Sequence, residues 1–170
     1  MIFSIIILFA FGVSAFENAP AWDFPLMPGV LTSIQRRDKP VDEQDIREAV
    51  FRYQFNHNSS GQQQNAKVYF LSLNQGRSPG NDLMIRFKGN KPPVRKVSEA
   101  SVSARGVVDK KTGRRGLVFR ITEIKWLGEN DVEVEGGYFE SGQSASTNVY
   151  KVKRESGRWV VKEDKVLEIS

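Results

Sequence analysis

Two different periods run along this chain. In "DEQDIREAVFRYQFNH", residues 42–57, Ile46, Ala49, Val50 and Tyr53 fall three and four apart, and Phe51 with Phe55 forms a second apolar row. That spacing lays a broad apolar stripe along one side of an α-helix, and Asp42 with Glu43 suits the positive start of such a helix. A polar, glycine-bearing stretch, "NHNSSGQQQN", ends it, and "AKVYFLSLN" follows as a β-rich run. The "SPGN" at 78–81 then predicts a second helix start. Leu83, Met84 and Phe87 give it a short apolar face, and "GNKPPV" stops it.

From Val94 onward the period becomes two. In "DVEVEGGYF", Val132, Val134 and Tyr138 share one face and Glu133 and Glu135 the other, the pattern of a strand covered on one side. In "LVFRITEIKW", Leu117, Phe119 and Ile121 are in one register and Ile124 and Trp126 in the other. A bulge near Thr122 and Glu123 returns both sets to the core, and Gly136-Gly137 predicts a second bend. The strands "STNVYKVKR" and "RWVVKEDKVLEI" are joined at Glu155-Ser156-Gly157, and "GEND" and "SGQS" divide the others. The expectation is an α+β domain, with an N-terminal helix packed on a curved antiparallel sheet of about five to six strands.

The N-terminal 40 residues differ from all of this. "MIFSIIILFAFGVSA" is almost uninterruptedly apolar and ends on small residues at Val13 and Ala15, as a secretory signal cut before Phe16 does. The alternative is a membrane anchor, but the run is shorter than the ~20 residues that span a bilayer. Residues 16–40 carry Pro20, Pro25, Pro28 and Pro40 with Trp22, Phe24 and Leu26 between the first three, which predicts an extended leader. The division is thus 1–15 signal, 16–40 leader and 41–170 one domain, with no integral membrane segment after cleavage and a secreted or periplasmic location.

Composition narrows the chemistry. With no cysteine, disulfide scaffolds, thiol catalysis, cysteine-bound zinc and a lipoprotein anchor are excluded, and with His57 as the single histidine a multi-histidine metal site is disfavoured. No metal and no cofactor are expected. Asn58-Ser59-Ser60 is a glycosylation sequon in form, relevant only in a eukaryotic producer.

Charge is uneven. The net charge is +5, yet residues 86–125 hold 12 basic side chains against Glu99, Asp109 and Glu123. Within this stretch "VVDKKTGRRG" groups Lys110, Lys111, Arg114 and Arg115 around Thr112-Gly113. Its Lys-Thr-Gly also occurs in penicillin-recognising enzymes, but no serine here is followed three places later by lysine, so the nucleophile motif is missing. Two readings stay open for the four charges: a solvated hairpin turn that keeps an edge from pairing, or an anion-binding site. Specific nucleic-acid binding is disfavoured by the export signal and by the lack of a recognition motif.

For catalysis the available groups are Tyr53, Tyr138, Tyr150, Arg86, Glu123 and His57. Of these Tyr53, Arg86 and Tyr138 are the candidate pocket residues. No pair of carboxylates shares an interior face, so no catalytic residue is assigned.

The run from "VVDKKTGRRG" through "RESGRWVVK", with "AVFRYQF" and "LMIRFKGNKPPVRK" before it, resembles a family of mainly bacterial secreted proteins. Its order of elements is similar to the cystatin-like and nuclear-transport-factor-2-like folds, over about residues 41–170. The resemblance implies fold and export, not a reaction. It also implies cysteines around the positions of Ala100, Glu140 and Ser144; any bridge between them is lost here. The expected function is an exported, non-catalytic binding or accessory module of unknown ligand, with an anionic envelope polymer, met weakly through the basic hairpin, or another protein as candidate partners. The alternative is a cofactor-independent pocket enzyme of the ketosteroid-isomerase type.

Overall fold

The computed structural model describes residues 28–61 and 65–170, with side chains described from residue 42. The signal and the first part of the leader lie outside the described residues.

Helix α1 covers Pro28–Asn56. Its second half meets the expectation: Ile46, Val50, Phe51 and Phe55 are buried, with Ala49 and Tyr53 packed against them. Its start does not, because residues 28–40 were expected to be extended and are helical. Pro28 is tolerated at a first helical position, where its missing N–H would have no partner in any case. Pro40 lies inside the helix, which continues past it despite the lost backbone donor. Among the described residues, no helix is long and apolar enough to cross a membrane.

The remaining elements are β1 (Val68–Leu73), α2 (Asn81–Ile85), β2 (Val94–Lys96), β3 (Ala100–Ser103), β4 (Gly106–Asp109), β5 (Arg115–Trp126), β6 (Asp131–Ser141), β7 (Ser144–Glu155) and β8 (Arg158–Ile169). They form one eight-stranded sheet in the order β2-β1-β5-β6-β7-β8, with β4 pairing the start of β5 and carrying β3. The strands from β5 to β8 are the expected antiparallel meander. The sheet as a whole corrects the expectation of a five- to six-stranded antiparallel one. It is mixed, because β1 runs parallel to both β2 and β5. Side-chain period reports which face a residue takes and is blind to strand direction.

The sequence of β1 reflects its place. Val68, Tyr69, Phe70 and Leu71 are all buried, an apolar run rather than an alternation, because this inner strand is covered on both faces. Tyr69 and Leu71 join the main core under α1 with Leu117, Phe119, Ile121, Val132, Val134, Tyr138, Tyr150 and Val152. Val68 and Phe70 join a smaller cluster on the opposite face with Ala100, Val107 and Val118.

The bulge predicted near Thr122 is present as a register shift between Ile121 and Glu123, and it lets Ile124 and Trp126 pack against the main core. Gly136 and Gly137 mark a close approach. A Cβ on Gly136 would lie 2.3 Å from Arg120 O and 3.0 Å from Gln54 Nε2, and one on Gly137, at φ +152, would lie 2.0 Å from Ser146 O. Bare backbone here is what allows α1 to bring an amide side chain down onto the sheet.

Candidate functional site

The basic hairpin is organised around a carboxylate rather than around its cations. Asp109 is buried, and Arg95 Nη1 donates to Oδ1 at 3.0 Å and to Oδ2 at 3.1 Å. The Lys111 N–H donates to Oδ1 at 3.2 Å, and the Thr112 hydroxyl donates to Oδ2. The turn closes through Asp109 N–H to Arg114 O at 2.9 Å and Gly113 N–H to Asp109 O at 2.8 Å, with Gly113 at φ +67. The Thr112 hydroxyl, the Lys111 amide and Arg95 hold the Asp109 carboxyl below its ordinary range, against the opposing effect of burial. Thr112-Gly113 thus serves the turn: threonine binds the carboxylate and glycine takes the left-handed conformation.

Lys110, Lys111, Arg114 and Arg115 are all exposed. Lys110 Nζ donates to Ser98 O at 2.8 Å, which ties it to the neighbouring turn. Arg115 lines an open groove of about 340 Å³, together with Arg105, Ser101, Ser103, Val108 and Glu140. Neither arginine is paired with a carboxylate among the described residues. The Glu140 carboxylate accepts from Ser60 Oγ at 2.6 Å and Ser144 Oγ at 2.8 Å. Sequence reading missed Arg105 and the serines because the β3–β4 hairpin that presents them was not recognised.

On the helix-covered face the described side chains form the main core, and a cleft of about 50 Å³ opens at the end of α1. Gln54, His57, Asn148, Tyr138, Tyr150 and Asp164 are among its walls. Gln54 Nε2 donates to Arg120 O at 3.1 Å and to the Tyr150 hydroxyl at 3.3 Å. Asn148 Nδ2 donates to Asp164 Oδ1 at 2.5 Å. Burial raises the Tyr150 hydroxyl well above its ordinary pKa, against the opposing bond from Gln54, and burial with the Asp164 charge raises Tyr53. Both phenols therefore remain neutral donors and acceptors near neutral pH.

The three candidate pocket residues do not converge. Tyr138 lines the cleft, and Tyr53 packs edge-on against Tyr150 at 5.8 Å and stacks on His57 at 4.2 Å. Arg86 instead ties α2 to α1 through Asp45 at 2.6 Å and Glu48 at 3.0 Å. Glu123 is exposed, and His57 Nδ1 lies 3.0 Å from Tyr53 O at the helix end. The groups that do converge, Gln54, Asn148 and Asp164, were legible as polar residues in otherwise buried registers: Gln54 follows Val50 by one helical turn, and Asn148 lies between Ser146 and Tyr150 on one strand face. Among the described residues, no group of three or more His, Cys, Asp or Glu is placed to hold a metal ion. The chain matches no protein-family model, no curated protein and no solved structure.

Proposed function

We propose that this chain is an exported, non-catalytic binding module of the cystatin-like or nuclear-transport-factor-2-like kind, and that it takes an anionic polymer of the cell envelope in the groove beside the basic hairpin. The observation that carries this reading is the groove itself. Arg105 and Arg115, neither paired with a carboxylate among the described residues, line an open concavity of about 340 Å³ together with Ser101, Ser103 and Ser141, and the one carboxylate there, Glu140, already accepts from two serines. Guanidinium forks and hydroxyls suit oxyanions, and an open shape suits a chain that passes through rather than a small molecule that must be enclosed. Lys111 and Arg114, exposed in the turn that precedes Arg115, add positive charge. The cleft under α1, at about 50 Å³, is far below the ~300 Å³ at which small-molecule sites begin, which favours this reading over the pocket enzyme.

The test is binding of fluorescent polyphosphate and polyglutamate across a salt series, with the parent and Arg105→Ser/Arg115→Ser. Both side chains are exposed, so the double variant should fold, each change costing within about 0.5 kcal/mol. Expected is a salt-sensitive affinity whose log–log slope becomes shallower by about one per arginine removed. A parent that binds neither polymer at low salt, or a double variant with an unchanged slope, refutes the proposal.

A further inference from the structure

Strand register fixes which side chains face the groove beside the basic hairpin. Ser101 pairs with Val108 and Val108 with Arg115, so the three stand side by side across β3, β4 and β5 on one face, and Ser103 follows Ser101 on that face two residues along. All four are exposed and line the groove. Val107, next in the chain, takes the other face, where it is buried with Val68, Phe70, Ala100 and Val118. The row is therefore held in place by a core behind it.

The cations are set apart along this face. Arg105 and Arg115 are the only basic residues among those that line the groove. Arg105 lies in the turn between β3 and β4, three residues before Val108, and Arg115 lies one strand across from Val108. At about 3.4 Å per residue along a strand and about 4.8 Å between strands, their backbones are about 11 Å apart. The interval is occupied by the Val108 side chain and by bare backbone at Gly106, with the Ser101 and Ser103 hydroxyls alongside. Ser103 Oγ donates to Gly106 O at 3.3 Å, which leaves its lone pairs to accept. The other charged residue of the groove, Glu140, is an anion.

We infer that the polymer taken here is an acidic polysaccharide with one acid group per disaccharide, an inference that rests on the groove being the anionic-polymer site proposed above. Successive acid groups meet Arg105 and Arg115, and the neutral sugar between them lies over Val108 with its hydroxyls on Ser101 and Ser103. The repeat of such a chain is about as long as the interval between the two arginines. Valine methyls suit the C–H face of a sugar ring, and serine hydroxyls donate and accept as ring hydroxyls do. A densely charged chain fits less well. The carboxylates of extended polyglutamate follow one another at about 3.5 Å, so two that reach the arginines bring others between them, over a stretch that holds no cation. Charges desolvated there without a partner cost affinity.

The experiment follows the fluorescence anisotropy of three labelled probes with equal numbers of acid groups: a hyaluronan oligosaccharide, which has one carboxylate per disaccharide, an oligoglutamate and a linear polyphosphate. Parent and Ser101→Ala/Ser103→Ala are titrated at low salt and at about 0.15 M salt, where attraction beyond about 8 Å is screened. At low salt the parent is expected to bind all three. At the higher salt it should hold the oligosaccharide about tenfold more tightly than the other two, whose binding is by charge alone. In the double serine variant, affinity for the oligosaccharide should fall about fivefold, while affinity for oligoglutamate and polyphosphate stays unchanged. Should that variant fail to fold, Ser101→Ala, which leaves the bond from Ser103 to Gly106 intact, is expected to lower affinity for the oligosaccharide by about twofold. If either dense polymer binds as tightly as the oligosaccharide at the higher salt, or if the folded serine variant treats all three probes alike, the inference is overturned and the groove stands as a site for polyanions in general. A parent that binds none of the three at low salt overturns both this inference and the anionic-polymer reading.

Discussion

Trp159 and Trp126 make a paired test of how α1 and the far end of the sheet are joined. Their rings meet edge to face at 5.6 Å and 83°. Trp159 is 7% exposed and donates from Nε1 to Asp42 Oδ1 at 3.4 Å, with the Arg154 guanidinium 5.9 Å from its ring and 3.5 Å from the same Asp42 oxygen. Trp126 packs against the same core but is only half-buried. Truncating a buried tryptophan costs about 3–5 kcal/mol. Within that sum the ring pair accounts for about 0.5–1.5 and the arginine contact for about 0.5–1 kcal/mol. Trp126→Ala loses the same ring pair and roughly half the burial, about 1.5–2.5 kcal/mol. The sequence pattern alone gives the two tryptophans equal weight; the structure separates them.

Urea unfolding followed by far-ultraviolet circular dichroism is the suitable assay, because it does not depend on the tryptophan that is removed. With an m-value near 2 kcal/mol/M, Trp159→Ala should lower the midpoint by about 1.5–2.5 M and Trp126→Ala by about 1 M. The double variant should fall short of the sum by the coupling energy of the rings, about 0.5–1.5 kcal/mol. Equal losses in the two single variants, or strict additivity in the double, would refute the edge-to-face pair and with it the placement of β8 under the middle of α1.

Gly137→Ala places a Cβ 2.0 Å from Ser146 O at a backbone φ of +152, so β6 and β7 must part locally. Loss of more than about 4 kcal/mol, seen as failure to recover folded protein, is expected. Gly61→Ala, with nothing within 4 Å, should melt like the parent and serves as control. Because the Asp109 carboxyl is held below its ordinary range, its contribution to stability is present above about pH 4 and is lost as pH falls through its lower folded value. Melting temperature should therefore decline less steeply below pH 4 in Asp109→Asn than in the parent; parallel curves would mean that Asp109 is not the acceptor at the centre of the hairpin.

The sequence by itself determined the local elements. Apolar spacing located the second half of α1, the short α2, the meander from β5 to β8 and the bulge at Thr122, because each follows from a period that one segment carries within itself. It determined too that cysteine chemistry was absent. Proline content points to an extended segment over residues 28–40, yet Pro28 stands in the first turn, whose N–H groups have no partner within the helix, and α1 runs on past Pro40. Tertiary structure alone decided the rest. The parallel placement of β1 between β2 and β5 depends on a crossover that leaves no mark on side-chain alternation. The Asp109 network needs Arg95 from another strand, and the groove needs the β3–β4 hairpin to stand beside Glu140. The cleft joins Gln54 to Asn148 and Asp164, which are distant in sequence. Periodicity says which way a residue faces; which polar residues from separate elements come to face one another is decided by packing.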